Sequence, residues 1–220
     1  MEKIALITGA SRGIGKSLAE ELLNRNYKVI GTSRNQESQV DGITMVQLDL
    51  SSLDSIKTAK QAIISQYPKI DLLINNAGIG PDLGQSKPDE NSFDTTFSVN
   101  LKGVVFFTEA MLDHLKDDGK LINISSKMGS VKLCEQSGSP AYRMSKSALN
   151  MYTKILANRY SGKLKVASMH PGWVQTTISA SNVNASLTPK ESARRIVEFV
   201  LNDFENGIYW DVESNVELEW

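Results

Sequence analysis

Apolar residues along the chain fall into short blocks near 4–7, 27–31, 43–48, 70–74, 121–124, 164–169 and 208–212. Blocks this short, rich in Val, Ile and Leu, read as buried strands. Most of the stretches between them repeat apolar residues at helical spacing, as in Leu18, Leu22 and Leu23 or in Met144, Ala148, Met151 and Ile155. Strands alternating with helices predict an α/β chain, a doubly wound parallel sheet of about seven strands with helices on both faces. In such a sheet the ligand lies beyond the carboxyl ends of the strands, where the winding reverses. Thr8, Asn75 and Ser125 stand at such ends. No internal repeat, low-complexity tract or linker interrupts the pattern, so residues 1–220 read as one domain and Pro81 to Asn91 as a polar loop.

Composition narrows the possible functions. A chain of 220 residues buries about 70% of its unfolded surface in one domain and needs no disulfide or metal to fold. Its 24 basic and 25 acidic residues are interspersed, which argues against a nucleic-acid or membrane-surface partner. Cys134 is the single cysteine, and His114 and His170 lie far apart, so no metal site is expected. The first strand begins too early for a signal peptide, and no apolar run nears the roughly 18 residues of a membrane span. A cytoplasmic protein is the expectation. Asn123-Ile124-Ser125 and Asn184-Ala185-Ser186 fit the glycosylation pattern, but with no secretion signal they read as coincidence.

Two motifs carry chemistry. Thr8-Gly9-Ala10-Ser11-Arg12-Gly13-Ile14-Gly15 directly follows Ile4-Ala5-Leu6-Ile7 and opens a helical pattern. Strand, glycine turn and helix together aim free backbone N–H groups and a positive helix end at a pyrophosphate. The glycine spacing departs from G-x-G-x-x-G but meets the same need for a tight turn and close phosphate approach. Tyr142 and Lys146 stand four residues apart and share one helix face. A cation beside a phenol favours phenolate, so the pair predicts a tyrosine pKa lowered from about 10, able to exchange a proton near neutral pH. Such a pair also occurs on solvated helices, so its weight depends on what accompanies it.

Its companions come in a definite order: the glycine turn at 9–15, Asp49-Leu50, Asn75-Asn76-Ala77-Gly78, Asn100, Ser126, Tyr142 with Lys146, Pro171-Gly172 and Thr176. In that order they resemble the short-chain dehydrogenase/reductase family over nearly the whole chain. The stretches 141–150 and 170–176 look most like the branch holding the sniffer-type carbonyl reductases and the bacterial C-factor proteins. The resemblance implies a single-domain Rossmann fold, a nicotinamide dinucleotide and hydride transfer to a carbonyl carbon. It implies Tyr142 as proton donor, Lys146 on the nicotinamide ribose, Ser126 on the carbonyl oxygen and Asn100 holding a water of the proton relay. For the cofactor it implies Gly9, Ser11, Arg12, Gly13, Ile14 and Gly15 at the phosphates, Asp49 and Leu50 at the adenine, and Asn76, Ala77 and Gly78 at the adenosine ribose. Pro171, Gly172, Val174 and Thr176 would receive the carboxamide side, with Tyr142 and Lys146 also touching the cofactor. Ser130 is the alternative to Ser126, because the gap to Tyr142 is longer than the family usually shows. Alternation along the strand turns Ser125 the other way.

Cofactor choice turns on the second strand, which ends in Thr32-Ser33-Arg34 where an NAD enzyme would place an acid. Arg34 with Ser33, and Arg12 from the glycine turn, suit a 2′-phosphate, which predicts NADP(H). Glu37 is the competing partner for the ribose. Met128, Leu133, Cys134, Trp173, Val174 and Ile178 are candidate pocket residues favouring an apolar or aromatic carbonyl substrate, though each is equally readable as packing. Cys134 has no partner that would make it a nucleophile, and His170 reads as structural. The broad apolar stretch at 93–115, with Val104 to Phe107, and the helix carrying Met144 and Met151 predict a homodimer, since relatives commonly pair through these two helices. The leading expectation is an NADP(H)-dependent oxidoreductase reducing an aldehyde, ketone or quinone. An NADP(H)-binding regulatory or signalling protein is the alternative, and an epimerase or dehydratase lacks a substrate domain.

Overall fold

A computed structural model of the chain describes residues 2–35 and 40–220. In order the elements are β1 (Lys3–Thr8), α1 (Gly13–Asn24), β2 (Tyr27–Ser33), β3 (Thr44–Gln47), α2 (Leu53–Gln66), β4 (Ile70–Asn75) and α3 (Glu90–Phe97). They continue with α4 (Val104–Met111), β5 (Leu115–Ile124), α5 (Pro140–Arg159), β6 (Leu164–His170), α6 (Pro189–Leu201), β7 (Ile208–Asp211) and β8 (Val216–Glu217). The strands form one sheet in the order β3-β2-β1-β4-β5-β6-β7-β8. Seven strands run parallel, as the apolar blocks predict. The eighth pairs antiparallel with β7. It escapes the pattern because Val216 and Glu217 are both exposed and form no apolar block.

Strand alternation divides the core between the two faces of the sheet. Leu6, Ile30, Leu73, Leu121 and Val166 point to one side, where Ile63 of α2, Phe107 of α4 and Leu156 of α5 cover them. Ala5, Ile7, Val29, Leu72, Ile122 and Ala167 point to the other, against Leu18 and Leu22 of α1 and Ile196 and Val197 of α6. Both faces being buried is why the strands read as unbroken apolar blocks rather than alternating ones. Winding reverses between β1 and β4, so their carboxyl ends, Thr8 and Asn75, open the crevice where a ligand fits.

Between α3 and α4 the backbone passes through a π-helical segment, Ser98–Gly103, that turns Asn100 into the interior. Wide turns of this kind concentrate at functional sites. Among the described residues no helix is long and apolar enough to cross a membrane. The tail after β7 folds back, with Leu218 N donating to Tyr209 O at 2.7 Å and the Trp220 ring stacked on Tyr209 at 5.1 Å.

Candidate active site

The glycine turn joins β1 to α1 and is held from the side by β4. Asn76 Nδ2 donates to the carbonyls of Thr8 and Gly9 at 2.9 and 3.2 Å, and the Thr8 hydroxyl accepts from Asn76 N and Ala77 N, both at 3.0 Å. Gly9 takes φ +72°, and a Cβ on Gly15 would lie 2.1 Å from the Gly9 oxygen, so side chains are excluded from both sides of the turn. Arg12 begins α1 without a side-chain cap, and the first turn holds no acid, leaving its N–H groups directed outward. Ser11 and Ile14 flank these positions. Thr176 closes the cradle from the far side, its methyl 3.7 Å from where a Cβ of Gly13 would stand.

Ser33 ends β2 and Arg34 follows it beside the turn, where Ala10 N donates to Thr32 O at 2.9 Å. The Ser33 hydroxyl is buried with no hydrogen-bond partner, an orphaned group that a phosphate or ribose oxygen would satisfy. Arg34 is exposed, and its charge helps hold the Asp49 carboxyl below its ordinary pKa, the larger cause being the Ser51 hydroxyl and backbone bonds to that carboxylate. Leu48 N donates to Ser33 O at 2.9 Å, which brings Asp49 near Arg34, while Leu50 is buried in the core. Glu37, the competing ribose partner, lies outside the described residues. Orphaned hydroxyl, excluded side chains and an uncapped helix start together suit a dinucleotide.

At the other end of the crevice Tyr142, Lys146, Ser126 and Asn100 come together and all are buried. Lys146 Nζ donates to Ile124 O at 2.9 Å, and a Cβ on Gly78 would stand 3.5 Å from both that Nζ and Asn100 Oδ1. Asn100 accepts from Ile79 N at 2.8 Å and spends both amide hydrogens on Ile79 O and Ser145 Oγ. Of the three serines, Ser126 is the one whose hydroxyl acts to lower the Tyr142 pKa, and its Oγ accepts from Met128 N at 3.2 Å. Ser130 bonds the carbonyl of Glu219 instead, and Ser125 faces the Lys146 carbonyl at 3.4 Å.

One expectation fails. The spacing of Tyr142 and Lys146 predicts a lowered tyrosine pKa, but burial drives Tyr142 up to about 12, with Ser126 lowering it in part and Asp82 adding to the rise. Lys146 itself is pushed down to about 8 by burial. Its ammonium is 5.7 Å from the Tyr142 ring centroid and turned to the Ile124 carbonyl, so desolvation outweighs the attraction that helical spacing suggests.

After β6, Pro171 O accepts from Ser192 Oγ at 2.6 Å, and Gly172 takes φ +85°. Val174 is buried in a bridge with Leu187, whereas Leu133, Cys134, Trp173 and Ile178 remain exposed. His170 is largely buried, its Nδ1 without a partner and its pKa lowered by burial. Sequence reading missed three supports. Thr8 ties the glycine turn to β4, Tyr209 bonds the Ser126 carbonyl through its hydroxyl, and Asp82 accepts from the first N–H groups of α5. Only Thr8, at a strand end beside the turn, carried any signal.

This sheet, glycine cradle and buried tyrosine–lysine pair are those of a nicotinamide-dependent oxidoreductase of the doubly wound class. The model of the short chain dehydrogenase family matches residues 3–186, and the chain belongs to that family. It is 31% identical over 215 residues to the 3-ketodihydrosphingosine reductase of Bacteroides thetaiotaomicron, covering 94% of this chain and 79% of that one. Among solved structures it is similar to the carbonyl reductase Sniffer of D. melanogaster, 28% identical with a TM-score of 0.88 and full coverage of both chains. The NADPH-bound carbonyl reductase from chicken fatty liver is 26% identical with a TM-score of 0.89, covering 100% of this chain and 94% of that one.

Proposed function

We propose that the chain is an NADP(H)-dependent reductase of aldehydes, ketones or quinones, with Tyr142 as proton donor. The observation that carries this reading is the meeting of Tyr142, Ser126 and Lys146 in one buried cluster beside Gly78, at the nicotinamide end of the cradle. Bound NADPH supplies the hydride. Tyr142, held as a phenol by its raised pKa, is in the form that gives a proton to a carbonyl oxygen gaining charge. The Ser126 hydroxyl has one hydrogen, and donating it to the same carbonyl oxygen would fix that oxygen's distance from Tyr142. Lys146 supplies positive charge where the nicotinamide ribose would rest. Asn100 braces the Ile79 backbone against α5, and a relay water there would use its remaining Oδ1 lone pair or its backbone carbonyl.

Preference for NADP(H) rests on Arg34 and the orphaned Ser33 hydroxyl at the end of β2, with Arg12 a second cation. The NADPH and carbonyl reductase named for the chicken liver neighbour point the same way. The chain acts as a homodimer. Phe106, Met144, Met151 and Ile155 are exposed on α4 and α5, and a groove of about 510 Å³ runs past Phe97, Leu101 and Val105 on the same helical face. A second subunit would cover them.

The test is loss of NADPH absorbance with a panel of aldehydes, quinones and diketones, comparing wild type with Tyr142→Phe. Turnover falling by about 10²- to 10⁴-fold in the variant, with NADPH affinity kept, supports the reductase. Tight NADPH binding with no turnover of any panel member supports the regulatory reading instead.

A further inference from the structure

Helix α5 carries the catalytic tyrosine in its first turn, and that turn is not capped from its own sequence. Ser139, at the N-cap, sits in the left-handed region at φ +60° and makes no side-chain cap. Its hydroxyl instead accepts from Gly84 N at 3.0 Å, and its N–H donates to Gln85 O at 2.7 Å. The capping acceptor comes from the loop after β4, 59 residues upstream. Asp82 Oδ2 accepts from Ala141 N at 2.7 Å, and Oδ1 accepts from Tyr142 N at 3.2 Å. The Asp82 carboxylate is fully buried, and none of the roles assigned to Tyr142, Ser126, Lys146 or Asn100 uses it.

A buried carboxylate is costly unless its oxygens are well bonded. Here the bonds and the positive end of α5 supply the compensation. A neutral acceptor such as Ser or Asn would cap the helix as well. What the carboxylate adds is a fixed negative charge beside Tyr142. The ionisable groups around the phenol are Lys146 on its own helix, Asp82 from the β4 loop and the Tyr209 hydroxyl from β7. The Ser126 hydroxyl adds a neutral partner. Burial pushes Lys146 down to about 8, so it is neutral where the phenol ionises and does not oppose Asp82 there.

We infer that Asp82 is a positioning residue for Tyr142: its carboxylate anchors the backbone that carries the phenol and sets the charge the phenol faces. Its negative charge opposes phenolate, in line with its share in raising Tyr142. Asp82 thus opposes formation of the phenolate, the form that alcohol oxidation needs.

Asp82→Asn keeps the shape and one acceptor while removing the charge, and Asp82→Ser is the second variant. The first readout is the near-ultraviolet phenolate band of cofactor-free protein, each variant compared with the same protein carrying Tyr142→Phe. Tyr142 is expected to ionise about one pH unit lower in both variants. This measurement uses no substrate, so it stands or falls apart from the reductase reading. The second readout rests on that reading: for a carbonyl compound the NADPH panel turns over, reduction should fall at alkaline pH while oxidation of its alcohol rises up to about tenfold. A residue that only caps the helix would lower both directions at every pH. Unchanged Tyr142 ionisation in both variants, or failure of both to fold, would overturn the inference.

Discussion

Lys146 is only 4% exposed, and its ammonium has one hydrogen bond, to the Ile124 carbonyl, for three donors. Burial lowers its pKa from 10.5 to about 8. At about 1.4 kcal/mol per pKa unit, holding this lysine charged costs the folded chain about 3 kcal/mol. The folded state binds the proton less tightly than the unfolded state. The penalty is therefore complete below about pH 8, shrinks as pH rises, and is gone above the unfolded value of 10.5. Lys146→Met keeps the alkyl stem, removes the charge and leaves the Ile124 carbonyl unbonded, a loss of about 1 kcal/mol. The variant should be more stable than wild type by about 2 kcal/mol at about pH 7, raising Tm by about 4 to 8 °C in a chain of this size. At about pH 10 the advantage should vanish, because the penalty left in wild type has shrunk to about 1 kcal/mol and no longer exceeds the cost of the unbonded carbonyl. Calorimetry of cofactor-free protein at both pH values is the assay, paired with an NADPH turnover measurement in which Lys146→Met should be inactive. A variant less stable than wild type near neutral pH, or one whose advantage persists at alkaline pH, would refute the reasoning.

Three more expectations are open to direct measurement. Arg34→Glu should weaken NADPH by about 10- to 100-fold, the range of one to two charge-assisted bonds, while NADH affinity changes little; equal loss for both, read by fluorescence titration, would remove Arg34 from the 2′-phosphate site. Gly15→Ala places a Cβ 2.1 Å from the Gly9 oxygen, so the turn must shift: NADPH binding should be lost and stability should fall by about 1 to 3 kcal/mol, checked by titration and denaturant unfolding. Met151, 64% exposed on α5, should lie in the subunit contact, and Met151→Glu should convert a dimer to a monomer in light scattering with the fold intact; a monomeric wild type would sink the assembly proposal.

Much of the architecture is legible in the sequence because the sheet is buried on both faces. A strand covered on both sides must be apolar at successive positions, so its block stands out, and the motifs at the strand ends then fall beside one another. The same logic explains what is hidden. β8 has one exposed pair of residues and no apolar block, so nothing marks it. The π-helical segment at Ser98–Gly103 shares its composition with an ordinary helix, and only the fold shows Asn100 turned inward rather than lying on a helix surface.

Asp82 and the Tyr142 pKa are hidden for a deeper reason. Helical spacing reports which side chains share a face, so it finds Lys146 beside Tyr142, but it is silent on desolvation, which depends on what the rest of the chain lays over that face. In this fold the cover includes the loop after β4, which brings a carboxylate to the start of α5 and helps reverse the direction of the shift that the Tyr–Lys pair alone suggests. The reversal is consistent with the proposed chemistry. A lowered tyrosine would arrive partly ionised, whereas one near 12 arrives at the carbonyl with its proton in place. Local spacing can therefore nominate the acid, while its protonation state is a property of residues far away in sequence.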